Sequence, residues 1–178
     1  MGVVMVLVYE EPASMRVRGT IIDLETVGEF DGCYPPWDLR HYAGVRPTIF
    51  GYITEDGLVQ YCAEGEEDLR EIGEIMGSTL PFLKGPFYAL NTSFERCIIE
   101  NMCGLQPFFY DVRGDNRGSK WGIRQDLGLP TYDDPFHGDG SRCMSEWRQG
   151  NYGDCMKHNR ACLLIERDIH EYSLGLTE

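Results

Sequence analysis

Asp23 and Glu25 are the two residues of this sequence whose spacing most directly suggests chemistry. They follow the apolar residues Ile21 and Ile22, so both emerge at the end of a predicted buried strand, where residues two apart point to the same face. Like charges held this close repel one another unless a cation lies between them. Carboxylate oxygens are ligands that suit Mg²⁺ and Mn²⁺. The pair therefore predicts a divalent-metal site, with a solvated strand end as the alternative.

Two later segments also carry groups that are capable of chemistry. A short apolar strand predicted over 87–90 runs into a helix with Glu95 in its first turn, although an acid there can simply complement the helix dipole. Near the C-terminus, His158, Cys162 and Glu166 are spaced by four and fall on one face of a predicted helix. The alternative for this second segment is an ordinary surface histidine beside a buried cysteine.

Hydrophobic periodicity predicts the elements that must position these groups. The dipeptide Asp56-Gly57 between two β-type segments is a strong hairpin signal. Strands in hairpins come first and then alternate with helices, which predicts an α/β fold with a mixed central sheet of about five strands flanked by helices. The predicted strands cover 1–9, 17–24, 48–53, 58–62, 87–90 and 107–112, the predicted helices cover 66–76, 92–102, 120–127, 141–148 and 154–172, and a turn is predicted over 10–13.

Length and charge limit the class of protein. The chain has 178 residues, of which 42% are hydrophobic, and this is enough for one domain, 1–178, with 1–16 as a possible N-terminal extension strand. The net charge is -13. A field of that sign repels a phosphate backbone, so it argues against tight, non-specific binding of duplex nucleic acid.

The cysteines point to a reducing environment. There are seven, an odd number, and no two of them form a C-x-x-C pair. The apolar segment over 3–8 is too short to cross a membrane and has no basic residues before it. We therefore expect reduced thiols in a cytoplasmic protein that does not bind membranes.

Taken in order, the three segments resemble the motifs of the DEDD 3′–5′ exonucleases, a family of the ribonuclease H-like superfamily. The sequence Asp23-Leu24-Glu25-Thr26 is similar to the first motif, D-[IL]-E-T. The sequence Leu90-Asn91-Thr92-Ser93-Phe94-Glu95 is similar to the second, N-x-x-F-D. The segment 158–162 is similar to the third, in which a tyrosine or histidine precedes an aspartate. The resemblance extends over roughly 20–172 and is closest to small stand-alone members of the superfamily.

Two positions depart from the family pattern. Glu95 stands where the family has aspartate, which keeps the charge and adds a methylene. Cys162 stands where the family has its last aspartate, and a soft sulfur is a poor ligand for Mg²⁺. Glu166, one helical turn further along, is a partial substitute.

The resemblance implies hydrolysis of a phosphodiester bond at the 3′ end of single-stranded DNA or RNA. Two Mg²⁺ or Mn²⁺ ions would be held by Asp23, Glu25 and Glu95, with Glu166 as the substitute ligand. His158 would orient or deprotonate the attacking water, with Cys162 at the position of the last acid. Further substrate contacts are expected near the terminal nucleotide from Thr26, Asn91 and Phe94. A second group of contacts is expected from the basic residues Arg113, Arg117, Lys120 and Arg124. The alternative for this basic segment is a solvated loop without a role in binding.

Two other functions remain open at this point. The chain is a catalytically inactive ribonuclease H-like binding module if Cys162 removes an essential ligand. Alternatively, Cys155, His158 and Cys162 share one helix face and form a structural zinc site, with Cys143 or His137 as the fourth ligand.

Overall fold

A computed structural model describes residues 6–176 of the chain. The order of strands and helices along these residues is the order that the sequence predicts. The strands are β1 (Val6–Glu11), β2 (Thr20–Val27), β3 (Arg46–Ile53), β4 (Leu58–Ala63), β5 (Phe87–Ala89) and β6 (Phe109–Asp111). The helices are α1 (Leu69–Thr79), α2 (Thr92–Cys103), α3 (Lys120–Asp126), α4 (Ser141–Arg148) and α5 (Tyr152–Ser173).

The six strands form one mixed sheet in the order β1-β4-β3-β2-β5-β6. Strands β2, β3 and β4 are antiparallel neighbours, and β5 and β6 are parallel to β2. This confirms the predicted α/β class, and the arrangement is consistent with a ribonuclease H-like fold. The sheet has six strands rather than about five, because the possible N-terminal extension strand, β1, pairs with the edge of β4.

The N-terminal strand continues further along the chain than predicted. Of the predicted strand over 1–9, residues 1–5 lie outside the described part of the chain. The predicted turn over 10–13 is wrong at its start, since Glu10 and Glu11 belong to β1 and pair with Val59 and Leu58. Glu11 Oε2 also accepts a hydrogen bond from Arg160 Nε at 2.8 Å, which ties β1 to α5.

Strand β2 lies inside the sheet and directs alternate side chains to opposite faces. Ile22 and Leu24 pack in the core that α1 and α2 cover. Ile21 packs against α5 on the other face, in a second core. Asp23 and Glu25 share the face of Ile21, so the period of the strand places both acids under α5, as the sequence predicts.

Helix α5 is the element that covers the acidic face of β2. It is 22 residues long and packs on β2 and β3. Its buried side includes Leu163 and Ile165, which belong to the second core, and also His158, Cys162 and Glu166. Within residues 6–176, every helix falls short of the length or the apolar character that a bilayer crossing requires.

Candidate functional site

The three predicted motifs meet in one open cleft of ≈ 320 Å³. Its walls come from the end of β2, the start of α2, the start of α3, the loop before α4 and the middle of α5. The lining residues include Asp23, Glu25, Asn91, Phe94, Glu95, Lys120, Gly140, His158 and Cys162. Sequence positions more than a hundred residues apart therefore face the same solvent-accessible space.

Asp23 is held by a buried amide network. Asn159 Nδ2 donates to Asp23 Oδ2 at 2.7 Å and to the Asp23 backbone oxygen at 3.0 Å. Gln60 Nε2 donates to Asn159 Oδ1 at 2.7 Å, which fixes the orientation of the amide. Gly51 pairs with Asp23 across β2 and β3, and a Cβ at this position would collide with Asn159 Oδ1. Glycine on β3 is thus required for the helix to approach Asp23 this closely.

The ammonium of Lys120 lies between two carboxylates of the cleft. Its Nζ is 2.9 Å from Asp23 Oδ1 and 2.6 Å from Glu166 Oε1, and all three side chains are largely buried. The other carboxylate oxygen of Glu166, Oε2, accepts a hydrogen bond from the Leu90 backbone N–H at 3.1 Å. Glu166 is therefore fully engaged by groups of the protein.

A second cluster lies beside the first. His158 Nε2 is 3.8 Å from Glu25 Oε1 and 3.7 Å from Cys162 Sγ, and the three side chains are buried. On the opposite side of the ring, His158 Nδ1 is 2.9 Å from Asp134 Oδ1. Asp134 also accepts the backbone N–H groups of Phe136 and Gly138. Although burial pushes the pKa of Asp134 upward, these hydrogen bonds lower it overall, which keeps the carboxylate charged.

Burial raises the pKa of three glutamates in and beside the cleft. Burial raises the pKa of Glu25 and of Glu95 well above the usual range, and the neighbouring charge of Asp23 raises both further. Burial also raises the pKa of Glu166 to about 8, with the Lys120 ammonium opposing the rise. The pKa of Lys120 is itself raised, because the attraction of the nearby acids outweighs the loss of hydration. Strongly shifted groups of this kind concentrate at functional sites.

Three acids of the cleft, Asp23, Glu25 and Glu95, are the oxygen donors that the family motifs assign to a hard cation, and Glu95 Oε2 is buried without a hydrogen-bond partner. An unpaired buried oxygen of this kind is a free donor for a cation. The three acids do not form one ready-made cluster: Asp23 already contacts Lys120 and Asn159, and the described donor atoms that lie within 4.8 Å of one another are those of Glu25, His158 and Cys162. The same residues do not fit the second ion that the family motifs imply. Cys162 offers sulfur at the required position, and Glu166, the predicted substitute, is already paired with Lys120.

The predicted basic patch is divided by the fold. Lys120 enters the cleft, whereas Arg113 pairs with Asp111 at 2.6 Å. Arg117 donates to backbone oxygens of its own loop, and Arg124, on α3, donates to the backbone oxygen of Leu129. Neither lines the cleft. Of the four predicted cations, Lys120 is thus the one that lines the cleft and pairs with Asp23.

A neighbouring groove of ≈ 350 Å³ continues the cleft along the end of β2. Thr26 and Phe94, both predicted substrate contacts, line it together with Phe30 and Met144. Phe30 is half exposed and lies 6.5 Å from the Phe94 ring. Phe30 and Phe94 thus give this groove an aromatic wall, and the Phe30 ring also stacks on His41.

Of the ligands predicted for a structural zinc site, the fold brings His158 and Cys162 together, whereas Cys155 and His137 do not join them. The sulfur of Cys155 donates to the backbone oxygen of Cys143, and His137 is exposed on its loop. Glu25, from a different element, joins His158 and Cys162 instead. Helical spacing predicted correctly that His158 and Cys162 are neighbours and missed the acid that faces them.

Several residues of the site have no counterpart in the sequence-based predictions, and four of them are Gly51, Asp134, Asn159 and Phe30. Asn159 follows His158 directly on α5. A search for polar residues on the buried face of this helix would have found it. The other three lie on β3 or in loops, where no local pattern marks them.

No protein-family model, no curated protein and no solved structure matches this chain.

Proposed function

We propose that this protein is a divalent-metal-dependent 3′–5′ exonuclease that hydrolyses the terminal phosphodiester bond of single-stranded nucleic acid. The observation that carries the proposal is the convergence of Asp23, Glu25, Glu95 and His158, from three separate elements, on one open cleft. The order of the motifs resembles that of the DEDD exonucleases and supports the 3′–5′ direction.

Asp23, Glu25 and Glu95 would hold the metal ion, which lowers the pKa of a bound water and stabilises charge on the phosphate. Asn159 keeps the Asp23 carboxylate in one orientation. Asp134 fixes the imidazole of His158 so that Nε2 faces the cleft, where it can accept a proton from the attacking water.

Lys120 contributes a fixed positive charge to the same cleft. Its ammonium lies where Asp23 and Glu166 converge, and the two acids hold it in place. A positioned cation stabilises the negative charge that develops on a phosphate oxygen during hydrolysis. We therefore propose that one metal ion and the Lys120 ammonium together stabilise the charge on the phosphate. The family motifs imply two metal ions for this role.

Degradation of a labelled strand tests the proposal. The substrate is a single-stranded DNA or RNA oligonucleotide with a 5′ label, incubated with Mg²⁺ or Mn²⁺. We expect the native protein to shorten the strand from its 3′ end, and Asp23→Asn to leave it intact because the variant loses a charged ligand. The control variant Asp56→Asn changes an exposed acid in the β3–β4 turn and keeps full activity. Equal behaviour of the native protein and Asp23→Asn refutes the exonuclease function.

A non-catalytic nucleic-acid-binding module is the second candidate. It is favoured by one observation, the direct ion pairs of Lys120 with Asp23 and Glu166, which neutralise acids without a metal ion. Fluorescence anisotropy of a labelled oligonucleotide separates the two functions. A binding module gives the same affinity with Mg²⁺ and with a chelator and leaves the strand intact, whereas the exonuclease degrades it when Mg²⁺ is present.

A further inference from the structure

We propose that Glu25, His158 and Cys162 form a site for one thiophilic divalent ion of the Zn²⁺ type. This site is chemically different from the carboxylate site for Mg²⁺ or Mn²⁺, because it combines one oxygen, one nitrogen and one sulfur donor. Zinc accepts all three donor types, whereas Mg²⁺ binds sulfur poorly. The inference concerns metal binding in the absence of nucleic acid. The site shares Glu25 with the proposed Mg²⁺ site and occupies His158 Nε2, the proposed base, so zinc bound here and the exonuclease reaction exclude each other.

The separations of the donor atoms suit a tetrahedral ion. Zinc bonds of about 2.0–2.3 Å at tetrahedral angles place neighbouring ligand atoms roughly 3.3–3.6 Å apart. His158 Nε2 is 3.8 Å from Glu25 Oε1 and 3.7 Å from Cys162 Sγ. All three donor atoms lie within 4.8 Å of one another. Small rotations of these side chains are sufficient to complete the geometry.

Asp134 supplies the support that a zinc-binding histidine requires. Metal-bound histidines commonly donate their other ring N–H to a carboxylate, which fixes the tautomer and the direction of the ring. His158 Nδ1 lies 2.9 Å from Asp134 Oδ1, so the hydrogen of the neutral ring belongs on Nδ1 and Nε2 is free to bind a cation. Two backbone N–H groups, of Phe136 and Gly138, hold Asp134 in turn.

The three ligands are attached to rigid parts of the fold. His158 and Cys162 are one turn apart on α5, and Glu25 is on the interior strand β2. Ligands on packed elements need little reordering to bind an ion, which favours high affinity.

A fourth coordination position faces the cleft. Glu25, His158, Cys162 and Gly140 all line it, and a Cβ at Gly140 would lie 3.3 Å from His158 Nε2. Glycine therefore leaves room beside the imidazole on the solvent side. Zinc sites with three protein ligands and one open position bind water or an anionic group of a substrate there. The ligand class that we infer for this position is water or a phosphate oxygen.

Titration with Co²⁺ tests the site directly. Cobalt substitutes for zinc and, when bound to a thiolate in four-coordinate geometry, produces a sulfur-to-cobalt charge-transfer band in the near ultraviolet. We expect the full-length, metal-stripped protein to develop this band with one Co²⁺ per chain and to lose it when Zn²⁺ is added. The variant Cys162→Ser removes the band, and the control Cys33→Ser, which changes an exposed thiol, retains it.

A positioning variant separates this specific site from adventitious thiol binding. Asp134→Asn leaves all three donor atoms in place and weakens the support of the ring, so Co²⁺ affinity should fall about 10–100-fold while the band itself remains. Circular dichroism of each variant checks that the chain is folded. A band that persists in folded Cys162→Ser, or a native protein that gives no band, overturns the proposal. Neither result bears on degradation of nucleic acid, which is measured separately with Mg²⁺ or Mn²⁺.

Discussion

Lys120 Nζ lies 2.9 Å from Asp23 Oδ1, although 97 residues separate the two along the chain. The ion pair joins the first turn of α3 to the central strand of the sheet, and Glu166 completes it from α5 at 2.6 Å. Breaking a buried pair by removing one partner leaves an uncompensated charge, which is strongly destabilising. Lys120 therefore stabilises the metal-free protein and at the same time competes with a cation for Asp23.

Replacing this lysine should make the stability of the protein depend on metal. For Lys120→Met without metal we expect a loss of about 3 kcal/mol in the free energy of unfolding, because Asp23 and Glu166 then lose the ammonium group that lies between them. Added Mg²⁺ should restore part of that loss by binding the folded state. Urea unfolding with and without Mg²⁺ measures both effects.

The matched control for the lysine variant is Arg117→Met, which changes an exposed cation of the preceding loop. Its stability should stay within about 0.5 kcal/mol of the native value. If Lys120→Met is as stable as this control, the buried ion pair contributes nothing and the competition with a cation is disproved.

The stability of the metal-free protein should respond to pH through Glu95. Burial raises the pKa of this carboxyl group in the folded state, so the folded chain binds more protons than the unfolded chain. The stabilising contribution is present below the unfolded pKa of about 4.3 and is lost as pH rises through the folded value. Glu95→Gln removes this dependence, since the amide does not ionise.

Thermal melts at pH 5 and pH 8 in the presence of a chelator measure the effect of Glu95→Gln. We expect the variant to exceed the native protein in stability by roughly 1 kcal/mol or more at the higher pH, which corresponds to about 2–4 °C in Tm. The exposed acid Glu55 provides the control, and Glu55→Gln should melt with the native protein at both pH values. An identical pH dependence for native and Glu95→Gln proteins contradicts the prediction.

Cys162 should decide which class of metal the cleft prefers. Cys162→Asp replaces the soft donor with a hard one, so we expect faster Mg²⁺-dependent degradation than in the native protein and no cobalt–thiolate band. Cys162→Ser is the matched control, because it removes the sulfur and adds no carboxylate; it should lose the band and gain no activity. Equal rates for the aspartate and serine variants would show that the position does not contribute a ligand for Mg²⁺.

Phe30 should contribute to the binding of a nucleotide base. Its ring is half exposed in the groove beside the acids, and stacking on an aromatic side chain is worth about 1–3 kcal/mol per base. Phe30→Ala should therefore weaken oligonucleotide binding by roughly 5-fold or more. Anisotropy in the Asp23→Asn background measures the affinity without degradation. The control Phe82→Ala changes a more exposed phenylalanine that lines a different pocket. If Phe82→Ala weakens oligonucleotide binding as much as Phe30→Ala does, the groove has no specific stacking site.

The sequence by itself determined the features that repeat over a few residues. Alternating apolar and acidic residues placed Asp23 and Glu25 on one face of β2, and a spacing of four placed His158 and Cys162 on one face of α5. The hairpin turn at Asp56-Gly57 and the order of strands and helices also follow from local patterns. These features depend on the geometry of a single strand, turn or helix, which the neighbouring residues fix.

The tertiary structure alone decided which groups from different elements meet. Lys120 belongs to a basic segment in the sequence, yet packing of α3 against α5 separates it from Arg113 and directs it to Asp23. The approach of α5 to Gly51 places Asn159 on Asp23. Such contacts are set by the packing of helices on the sheet, and the free energy that selects them comes from burial over the whole core rather than from any local pattern.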